Sequence, residues 1–375
     1  MNILYIANVR IPTERAHGIQ IMKTCEALSR AGATVELIVP SRQNLLTSSP
    51  FSYHGVPENF TLTKLASPDW VRFGPLGFLF SALWFAESVR WRKSFRTADL
   101  IYSRDALVLL QYVLLRRRFA YEAHAGPTFA SRIVARRAYK LIAISKGLSD
   151  AYIKAGVAPE CITIAPDAVD EGLFVNVPER RKAREIIGLV SDKPVVMYVG
   201  HLYERKGVDI LAAAAAKLPE VLVAFVGGAS DDLPRFKERW GKVPNIRILG
   251  HVSHERVPLY LRAADLLILP NSAKNEDSFK FTSPMKLFEY MASGTPIIAS
   301  GVPALYEVLK ADSAYLVSPD DAEALAAGIT NALEHPLEAE EKAAHARERV
   351  KGYTWDKRAR QMLRGMDAPV PAEYS

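Results

Sequence analysis

Two adjacent cations, Arg205 and Lys206, lie just ahead of a predicted helix in the second half of the chain. They belong to the segment VGHLYERKG, which follows the apolar run VVMYV, and Gly200 permits a tight turn and close backbone approach there. The N-terminus of a helix already favours an anion, so two cations are unfavourable at this place unless a negative group shares it. A diphosphate would satisfy the cations and the helix without a metal ion. The alternative is a surface loop with two solvated bases.

The second candidate is a helix that carries an acid among apolar residues, in SPMKLFEYMASGTPIIAS. Ser283 and Pro284 are typical of an N-cap and a first helical position. Glu289 lies too far into the helix to cap it, and a carboxylate at the mouth of a cleft can accept two hydrogen bonds from a ribose diol. The alternative is a surface ion pair with Lys286, which stabilises a helix by about 0.2–0.5 kcal/mol. The residues alone leave both interpretations open.

Two weaker candidates follow predicted strands in the first half. Gly18, in ANVRIPTERAHGIQI, precedes a predicted helix and could let backbone amides approach a phosphate or a sugar, although the spacing lacks a GxGxxG. His124 closes the strand in YEAHAGP, where a histidine is either structural or part of a site.

The elements that must position these residues form two series of short apolar strands with helices between them. Such runs, several without polar alternation, predict parallel sheets covered on both faces, and ligands bind at the carboxyl ends of their strands. We therefore expect an α/β protein of two doubly wound domains, residues 1–188 and 189–352. The helical pattern at 353–366 could extend the second domain or pack back on the first. The predicted strands are Ile3–Ala7, Val35–Val39, Leu100–Ser103, Ala120–His124, Leu141–Ile144 and Ile162–Ala165, then Val195–Val199, Val221–Val226, Ile246–Leu249, Leu266–Leu269, Pro296–Ala299 and Ala314–Val317.

Positive charge is concentrated in the first half of the chain. Residues 1–190 hold 25 Lys and Arg against 16 Asp and Glu, and the remainder holds 23 against 25. This asymmetry suits an anionic partner such as lipid headgroups, a phosphorylated acceptor or nucleic acid, although any one cluster can be a solvated helix face. No nucleic-acid-binding module is recognisable. The clusters are Arg90–Lys93, Arg116–Arg118, Arg132–Arg137 and Arg180–Lys182.

The apolar stretch Gly74–Ala86 is shorter than the ~20 residues that cross a bilayer. We expect a core helix there, and a segment at a membrane interface is the alternative. No signal peptide is visible, and Cys25 and Cys161 are not clustered with each other or with histidine. A structural zinc is therefore not expected, and a reducing cytoplasm is the expected location.

Taken together, these segments resemble the family 4 glycosyltransferases, which are retaining nucleotide-sugar enzymes with two Rossmann-like domains in the GT-B fold. The resemblance covers nearly the whole chain and includes members that build bacterial surface polysaccharides. It implies an acceptor-side domain at 1–188, a nucleotide-sugar domain at 189–352, and a C-terminal helix in 353–375 that crosses back to the first domain. The matching segments, in the order of the family, are AHGIQIMKTCEALSRAG, LIYSRDAL, YEAHAGP, LIAISKGLSD, IAPDAVD, YVGHLYERKG, ADLLILPNS and SPMKLFEYMASGTPIIAS.

By position, the resemblance also implies roles for individual residues. Glu289 matches the second Glu of the family's Glu-x7-Glu signature, but Phe281 stands where the signature has its first Glu, which normally contacts the donor sugar. His201 stands where the family often has an arginine, and Arg205 could substitute for it. The implied catalytic residues are Arg205, Lys206 and His124, and the implied donor-sugar site comprises Phe281, Thr282 and Ser283. The implied donor-nucleotide site comprises Gly18, Gly200, His201, Val252, Ser253, Asn271, Lys286, Leu287 and Glu289.

The expected activity is transfer of a sugar from a nucleotide-diphosphate sugar to a glycan or lipid-linked acceptor, with no metal and no cofactor. The anionic inner face of the cell membrane is the expected location of the acceptor, and nucleic acid is not an expected partner. Two alternatives remain at this stage: a nucleotide-sugar 2-epimerase of the same fold, and a non-catalytic nucleotide-sugar-binding paralogue.

Overall fold

The computed structural model describes residues 1–115, 117–229 and 232–367, so Arg116 of one basic cluster and the predicted tail 368–375 lie outside the described residues. Its contacts divide the chain into two compact units. Unit 1 contains residues 1–167 and the last helix, and unit 2 contains residues 168–354.

Unit 1 is built on a seven-stranded parallel sheet with the strand order β3-β2-β1-β4-β5-β6-β7. The central strands are buried along their whole length, because helices cover both faces. Its strands are β1 Asn2–Ile6, β2 Thr34–Ser41, β3 Thr61–Ala66, β4 Leu100–Ser103, β5 Phe119–Ala123, β6 Lys140–Ala143 and β7 Ile162–Ile164, and its helices are α1 Ala16–Arg30, α2 Pro50–His54, α3 Gly74–Arg90, α4 Lys93–Thr97, α5 Ala106–Leu110, α6 Phe129–Arg137 and α7 Lys146–Lys154.

Unit 2 is built on a six-stranded parallel sheet with the strand order β10-β9-β8-β11-β12-β13. Together the two sheets confirm the predicted pair of parallel α/β domains. The strands are β8 Val195–Val199, β9 Leu222–Val226, β10 Ile246–Gly250, β11 Leu266–Leu269, β12 Ile297–Ser300 and β13 Tyr315–Val317, and the helices are α8 Arg180–Ile187, α9 Val208–Ala215, α10 Leu233–Trp240, α11 Val257–Ala263, α12 Met285–Ser293, α13 Pro303–Tyr306, α14 Ala322–Glu334 and α15 Pro336–Val350.

Helix α8 and the residues just before it belong to unit 2, whereas the sequence placed the boundary at residue 188. The reason is a set of polar contacts that tie α8 to the β11 end of the second sheet. Arg184 donates to the carbonyl of Ala263 at 2.7 Å and pairs with Asp265 at 2.5 Å, and Arg180 pairs with the same carboxylate at 3.2 Å. The chain therefore passes from unit 1 to unit 2 at Asp167.

The last described helix, α16 Trp355–Asp367, packs in unit 1 against α1 and the β6–β7 edge. Arg358 on its buried face donates to the carbonyl of Pro166 at 2.9 Å. Gly365 allows the close approach, because a β-carbon there would lie 2.2 Å from the hydroxyl of Thr163. The prediction that a C-terminal helix returns to the first domain is confirmed.

Helix α3 corrects the expectation of a core helix. Only one of its faces is buried, the one that carries Gly77, Ser81, Ala82, Phe85, Ala86 and Val89. The other face leaves large apolar side chains, among them Leu76, Phe80 and Trp84, mostly exposed. Over the described residues, no helix has the length and apolar content needed to cross a membrane.

Candidate active site

The loop after β8 approaches two other parts of unit 2 through glycines with positive φ. Gly200, at φ 141°, lies so close to α12 that a β-carbon on it would be 2.6 Å from Nζ of Lys286. Gly207, at φ 72°, precedes α9, and a β-carbon on it would be 1.6 Å from the carbonyl oxygen of Pro270, just after β11. The ends of β8 and β11 and the start of α12 are therefore drawn together at one edge of the sheet.

Three cations meet at this edge. Arg205 and Lys206 lie in a single 3-10 turn, Glu204–Lys206, and the next helix begins at Val208, as predicted. Burial, and then the charge of Arg205, lower the pKa of Lys206 to about 8. Burial, and then the charge of Lys206, hold the pKa of Lys286 well below its usual value, although Glu289 opposes this shift. Like charges in partial burial destabilise each other, so an anion bound among them would restore both lysine pKa values and stabilise the charged forms.

Lys286 is oriented by a tyrosine that the sequence did not single out. Its Nζ donates to the hydroxyl of Tyr198 at 2.6 Å, and that hydroxyl donates to the carbonyl oxygen of His201 at 2.7 Å. The ring of His201 stacks on Tyr203 with centroids 5.0 Å apart, and the guanidinium of Arg205 lies 4.8 Å from the centroid of the same Tyr203 ring. Lys286 and the loop after β8 therefore form one connected assembly.

Glu289 does not form the surface ion pair that was the alternative interpretation. Its side chain is only 13% exposed, and its Oε1 lies 2.7 Å from Nε2 of His254. His254 begins a 3-10 turn, His254–Arg256, soon after β10. Its neighbours Val252 and Ser253 were expected at the site from the sequence, and His254 was not. The histidine brings the β10 end to the same edge and fixes the carboxylate there.

The start of α12 differs from the sequence prediction. The helix begins at Met285 with Pro284 in the N-cap place, one residue after the predicted N-cap Ser283, which is buried. The backbone amide of Leu287 donates to the carbonyl of Pro284 at 2.9 Å, and its side chain lies in the hydrophobic core. Leu287 therefore serves helix packing. Tyr290 fixes the helix to β8, since its hydroxyl accepts from the amide of Val199 at 2.7 Å.

The segment ahead of α12 contains the position where an acid was expected. Phe281 ends a π-helical turn, Asp277–Phe281, and is only 7% exposed. Asn271, also buried, donates to the hydroxyl of Ser278 at 3.3 Å and so holds this turn. Thr282 is half-buried. Neighbouring Glu276 points to the surface, where it pairs with Lys280 at 3.1 Å.

Unit 1 contains a separate group of polar residues around a buried carboxylate in β5. Glu122 is fully buried and accepts from Gln20 at 2.7 Å, from Tyr102 at 2.5 Å and from Arg358 at 2.5 Å. His124 directly follows β5, whereas the prediction made it the last residue of that strand, and its Nε2 lies 3.0 Å from the same carboxylate. Burial, and then the charge of Arg104, lower the pKa of His124 to about 4, so the imidazole is neutral at pH 7.

Gly18 lies inside α1, whose first residue is Ala16, and not ahead of the helix as expected. Its amide donates to the carbonyl of Arg15 at 2.9 Å. A β-carbon at this position would lie 2.4 Å from Cγ2 of Thr13 and 3.1 Å from Cε1 of His54. The glycine therefore lets the loop after β1 and the buried His54 pack on the first turn of the helix.

The predicted site residues thus fall into two groups, one in each unit. Among residues 1–115, 117–229 and 232–367, no set of three or more His, Cys, Asp or Glu side chains is arranged to hold a metal ion.

Comparison with curated proteins finds related glycosyltransferases. A D-inositol 3-phosphate glycosyltransferase 1 from Catenulispora acidiphila is 28% identical over 285 residues, which cover 72% of this chain and 66% of that protein. A D-inositol 3-phosphate glycosyltransferase from Mycobacterium bovis is 34% identical over 157 residues, which cover 40% of this chain and 31% of that protein. The aligned parts therefore span less than two thirds of these relatives.

Comparison with solved structures extends over nearly the whole chain. Sucrose-phosphate synthase from Thermosynechococcus elongatus has a TM-score of 0.77 at 22% identity and covers 97% of both chains. Anabaena HepE in complex with UDP-glucose has a TM-score of 0.75 at 20% identity, over 97% of this chain and 98% of that one. WaaG, a glycosyltransferase involved in lipopolysaccharide biosynthesis, has a TM-score of 0.69 at 17% identity, over 98% and 100%. These likenesses show the fold and confirm the expected GT-B class.

The family model "Glycosyl transferases group 1" matches residues 193–335, which contain the cations of the β8 loop, His254 and Glu289. Residues 193–335 of unit 2 are therefore similar to a glycosyltransferase group 1 domain.

Proposed function

We propose that the protein transfers a sugar from a nucleotide-diphosphate sugar to a glycan or lipid-linked acceptor. The observation that carries this proposal is the group of three cations, Arg205, Lys206 and Lys286, with the lysine pKa values lowered by burial and by like charge. Such a group is suited to a ligand with two or more negative charges. Glu289, held by His254 near the same edge, is suited to the two hydroxyls of a ribose. Together these groups match the two halves of a nucleoside diphosphate.

The reaction breaks the bond between the anomeric carbon and a diphosphate oxygen and forms a bond from that carbon to an acceptor hydroxyl. Negative charge develops on the departing diphosphate, where the cations stabilise it; such electrostatic stabilisation is usually the largest single term in catalysis. We propose retention of the anomeric configuration, in which the acceptor attacks from the face that the diphosphate leaves. The departing phosphate oxygen accepts the acceptor's proton, so no protein nucleophile is required.

For His124 we propose a contact with the transferred sugar. A neutral imidazole can donate one hydrogen bond and accept another, and the nearby Glu122 selects its orientation. The arrangement in unit 1 thus favours a fixed, uncharged histidine rather than a general acid that cycles near neutral pH.

The finer assignment remains part of this proposal: a retaining, metal-independent enzyme of family 4 that acts in surface-polysaccharide synthesis, in the cytoplasm at the inner face of the membrane. It is supported by the structural likeness to WaaG, whose description names lipopolysaccharide biosynthesis, and to HepE, which was solved with UDP-glucose. UDP-glucose is therefore the first donor to test.

The test is a thermal-shift screen with UDP-, GDP-, ADP- and dTDP-sugars, because a ligand that binds the folded state raises the melting temperature by mass action. We expect one base series to raise the melting temperature of the wild type and of Lys280→Ala, a matched surface variant. We expect Glu289→Ala and Lys206→Ala to reduce the shift. If no nucleotide sugar gives a shift in the wild type, the proposal fails.

Incubation with the identified donor alone, with and without EDTA, separates the alternatives. A transferase leaves the donor nearly unchanged until an acceptor is added, an epimerase converts it, and a non-catalytic binding protein does neither at any acceptor concentration. NMR of the product's anomeric proton reports retention or inversion, and unchanged turnover in EDTA supports metal independence.

A further inference from the structure

A continuous apolar stripe runs along the exposed side of α3 in unit 1. Three of its residues recur every four positions and so share one face of α3, two more flank the ends of the helix, and all five are between 54% and 72% exposed. We call this set the α3 stripe: Phe73, Leu76, Phe80, Trp84 and Trp91. The opposite face of α3 is buried against the rest of unit 1, so the fold covers only one side of the helix. Proteins rarely expose an apolar surface of this kind without using it.

Cations border the stripe. They are Arg72, Arg90, Arg92, Lys93 and Arg96, all exposed. The guanidinium of Arg72 lies 4.8 Å from the centroid of the Phe73 ring. The acid on this face, Glu87, accepts from Nε1 of Trp91 at 3.0 Å and pairs with Arg90 at 3.5 Å, so its charge is compensated. The apolar face therefore has basic side chains at both of its ends.

This combination fits an anionic bilayer better than a protein partner. Tryptophan rings prefer the boundary between headgroups and acyl chains, and Trp70 packs edge-on against Trp84 at 6.5 Å between centroids, so this surface carries three tryptophans. Basic side chains beside an apolar helix face are attracted to anionic headgroups. A second copy of this chain would bring the same cations against each other, which disfavours self-association through this face.

The length of α3 limits how it can meet a bilayer. With 17 residues it is about 25 Å long, less than the ~30 Å of a hydrocarbon core, and its buried face is already committed to unit 1. The helix can therefore lie in the interface plane and cannot span the membrane.

We propose that the α3 stripe and its bordering cations dock the protein onto an anionic lipid bilayer, with α3 parallel to the surface and its aromatic side chains inserted at the headgroup–acyl boundary. This inference deepens the membrane location in the proposed function, on which it rests, and requires neither a donor nor an acceptor. It assigns the surface that presents unit 1 to the membrane.

The test is co-sedimentation of the full chain with phosphatidylcholine vesicles that contain 0, about 20 or about 40% phosphatidylglycerol, so that the negative surface charge of the vesicles increases in steps. We expect binding to increase with the anionic fraction and to decrease with salt. Phe80→Ser/Trp84→Ser should weaken binding by about tenfold or more, since it removes inserted apolar area. Arg92→Gln/Lys93→Gln should weaken it about fivefold for each cation removed.

The matched control is Val190→Ser/Leu337→Ser, which removes two apolar side chains that are even more exposed, elsewhere in the chain. This variant should bind vesicles like the wild type. Insertion is read directly from tryptophan fluorescence with brominated lipids: Trp70, Trp84 and Trp91 should be quenched, while Trp355, buried in unit 1, should not.

Three outcomes would overturn the proposal. The first is vesicle binding that does not depend on the anionic lipid, and the second is binding that Phe80→Ser/Trp84→Ser leaves unchanged. The third is a wild-type dimer that the same variant converts to a monomer, which would make the stripe an interface between copies. None of these readouts uses catalysis, so the membrane surface can fail while the transferase proposal stands, and the reverse.

Discussion

The buried ion pair between Glu122 and Arg358 gives the sharpest test of how the last helix contributes to unit 1. Glu122 is fully buried in β5, and Arg358 on α16 is 4% exposed. Replacing Arg358 with methionine keeps the length and the helix propensity of the side chain but leaves the carboxylate without its strongest partner. Breaking a buried pair from one side costs roughly 3–5 kcal/mol, because an uncompensated charge remains in the interior. We expect Arg358→Met to lower the unfolding free energy of unit 1 by that amount.

The loss should depend on pH with a defined sign. Burial alone would raise the pKa of Glu122, but the charge of Arg358, helped by the hydrogen bond from His124, outweighs it and holds the pKa well below its usual value. In the wild type this carboxylate therefore stabilises the fold above its unfolded pKa of about 4.3, and the contribution is lost as the pH falls. In Arg358→Met the folded pKa rises above the unfolded value, so the fold is penalised as the pH rises. The stability difference should therefore be largest at pH 7–8 and smaller near pH 5.

The assay is urea unfolding followed by tryptophan fluorescence in a Trp240→Phe background. Because Trp70, Trp84, Trp91 and Trp355 all lie in unit 1, the signal then reports that unit alone. The matched control is Arg360→Met, an exposed arginine on the same helix, which should change the stability by less than about 0.5 kcal/mol.

A double-mutant cycle with Glu122→Gln completes the test. Glu122→Gln alone leaves Arg358 buried without its carboxylate and should also destabilise the unit. The double variant Glu122→Gln/Arg358→Met removes both charges, so its cost should fall below the sum of the single costs by about 2 kcal/mol or more. Additive costs, or a loss below about 1 kcal/mol in Arg358→Met, would show that the pair does not clamp the helix.

Three further predictions concern unit 2. Glu289→Ala should weaken binding of the donor or of the free nucleoside diphosphate by roughly 10–100-fold in calorimetry, because hydrogen bonds to a charged group are worth about 1.5–3 kcal/mol. His254→Ala should weaken binding less. Equal binding by wild type and Glu289→Ala would contradict the ribose role. Nucleotide affinity should fall as the pH rises above about 8, since Lys206 has a pKa of about 8 that a bound diphosphate raises, and the fall should be smaller in Lys206→Arg; a flat wild-type profile up to pH 9.5 would count against this lysine as a ligand. Gly200→Ala should displace the ammonium of Lys286, which lies 2.6 Å from the new β-carbon, and should reduce diphosphate affinity more than it reduces the melting temperature of the unliganded protein.

The fold could be predicted well because its signals are local. Continuous apolar runs such as VVMYV and LLIL are buried on both faces, and the strand order follows from βα repetition. Strand β3, Thr61–Ala66, was missed because it lies at the edge of the sheet and its threonines and lysine give no apolar run. Helix α3 was misjudged for the opposite reason: its composition is that of a core helix, and only the packing shows that one apolar face has no cover.

The residues of the candidate site also differ in whether a local sequence signal marks them. Arg205, Lys206 and Glu289 could be named from one segment each, because a strand end or a helix start marks them. His254 could not, since its role depends on the contact with Glu289, 35 residues away. Arg358 is 236 residues from Glu122, and a lone arginine in a polar helix gives no signal of burial. Contacts that depend on long-range packing carry no signature in either segment.

The two units treat charge in opposite ways, and this contrast supports the proposed donor site. In unit 1 the buried charge of Glu122 is compensated by Arg358 of the same folded unit. In the described part of unit 2, Lys206 and Lys286 are partly buried beside each other and beside Arg205, and their pKa values are lowered rather than raised. Phe281 stands where the signature has an acid, so this segment lacks one negative charge, and the side chain of Phe281 is buried. The proposed donor would supply the compensating charge from outside the fold, and the two or more negative charges of a diphosphate suit this group of basic side chains.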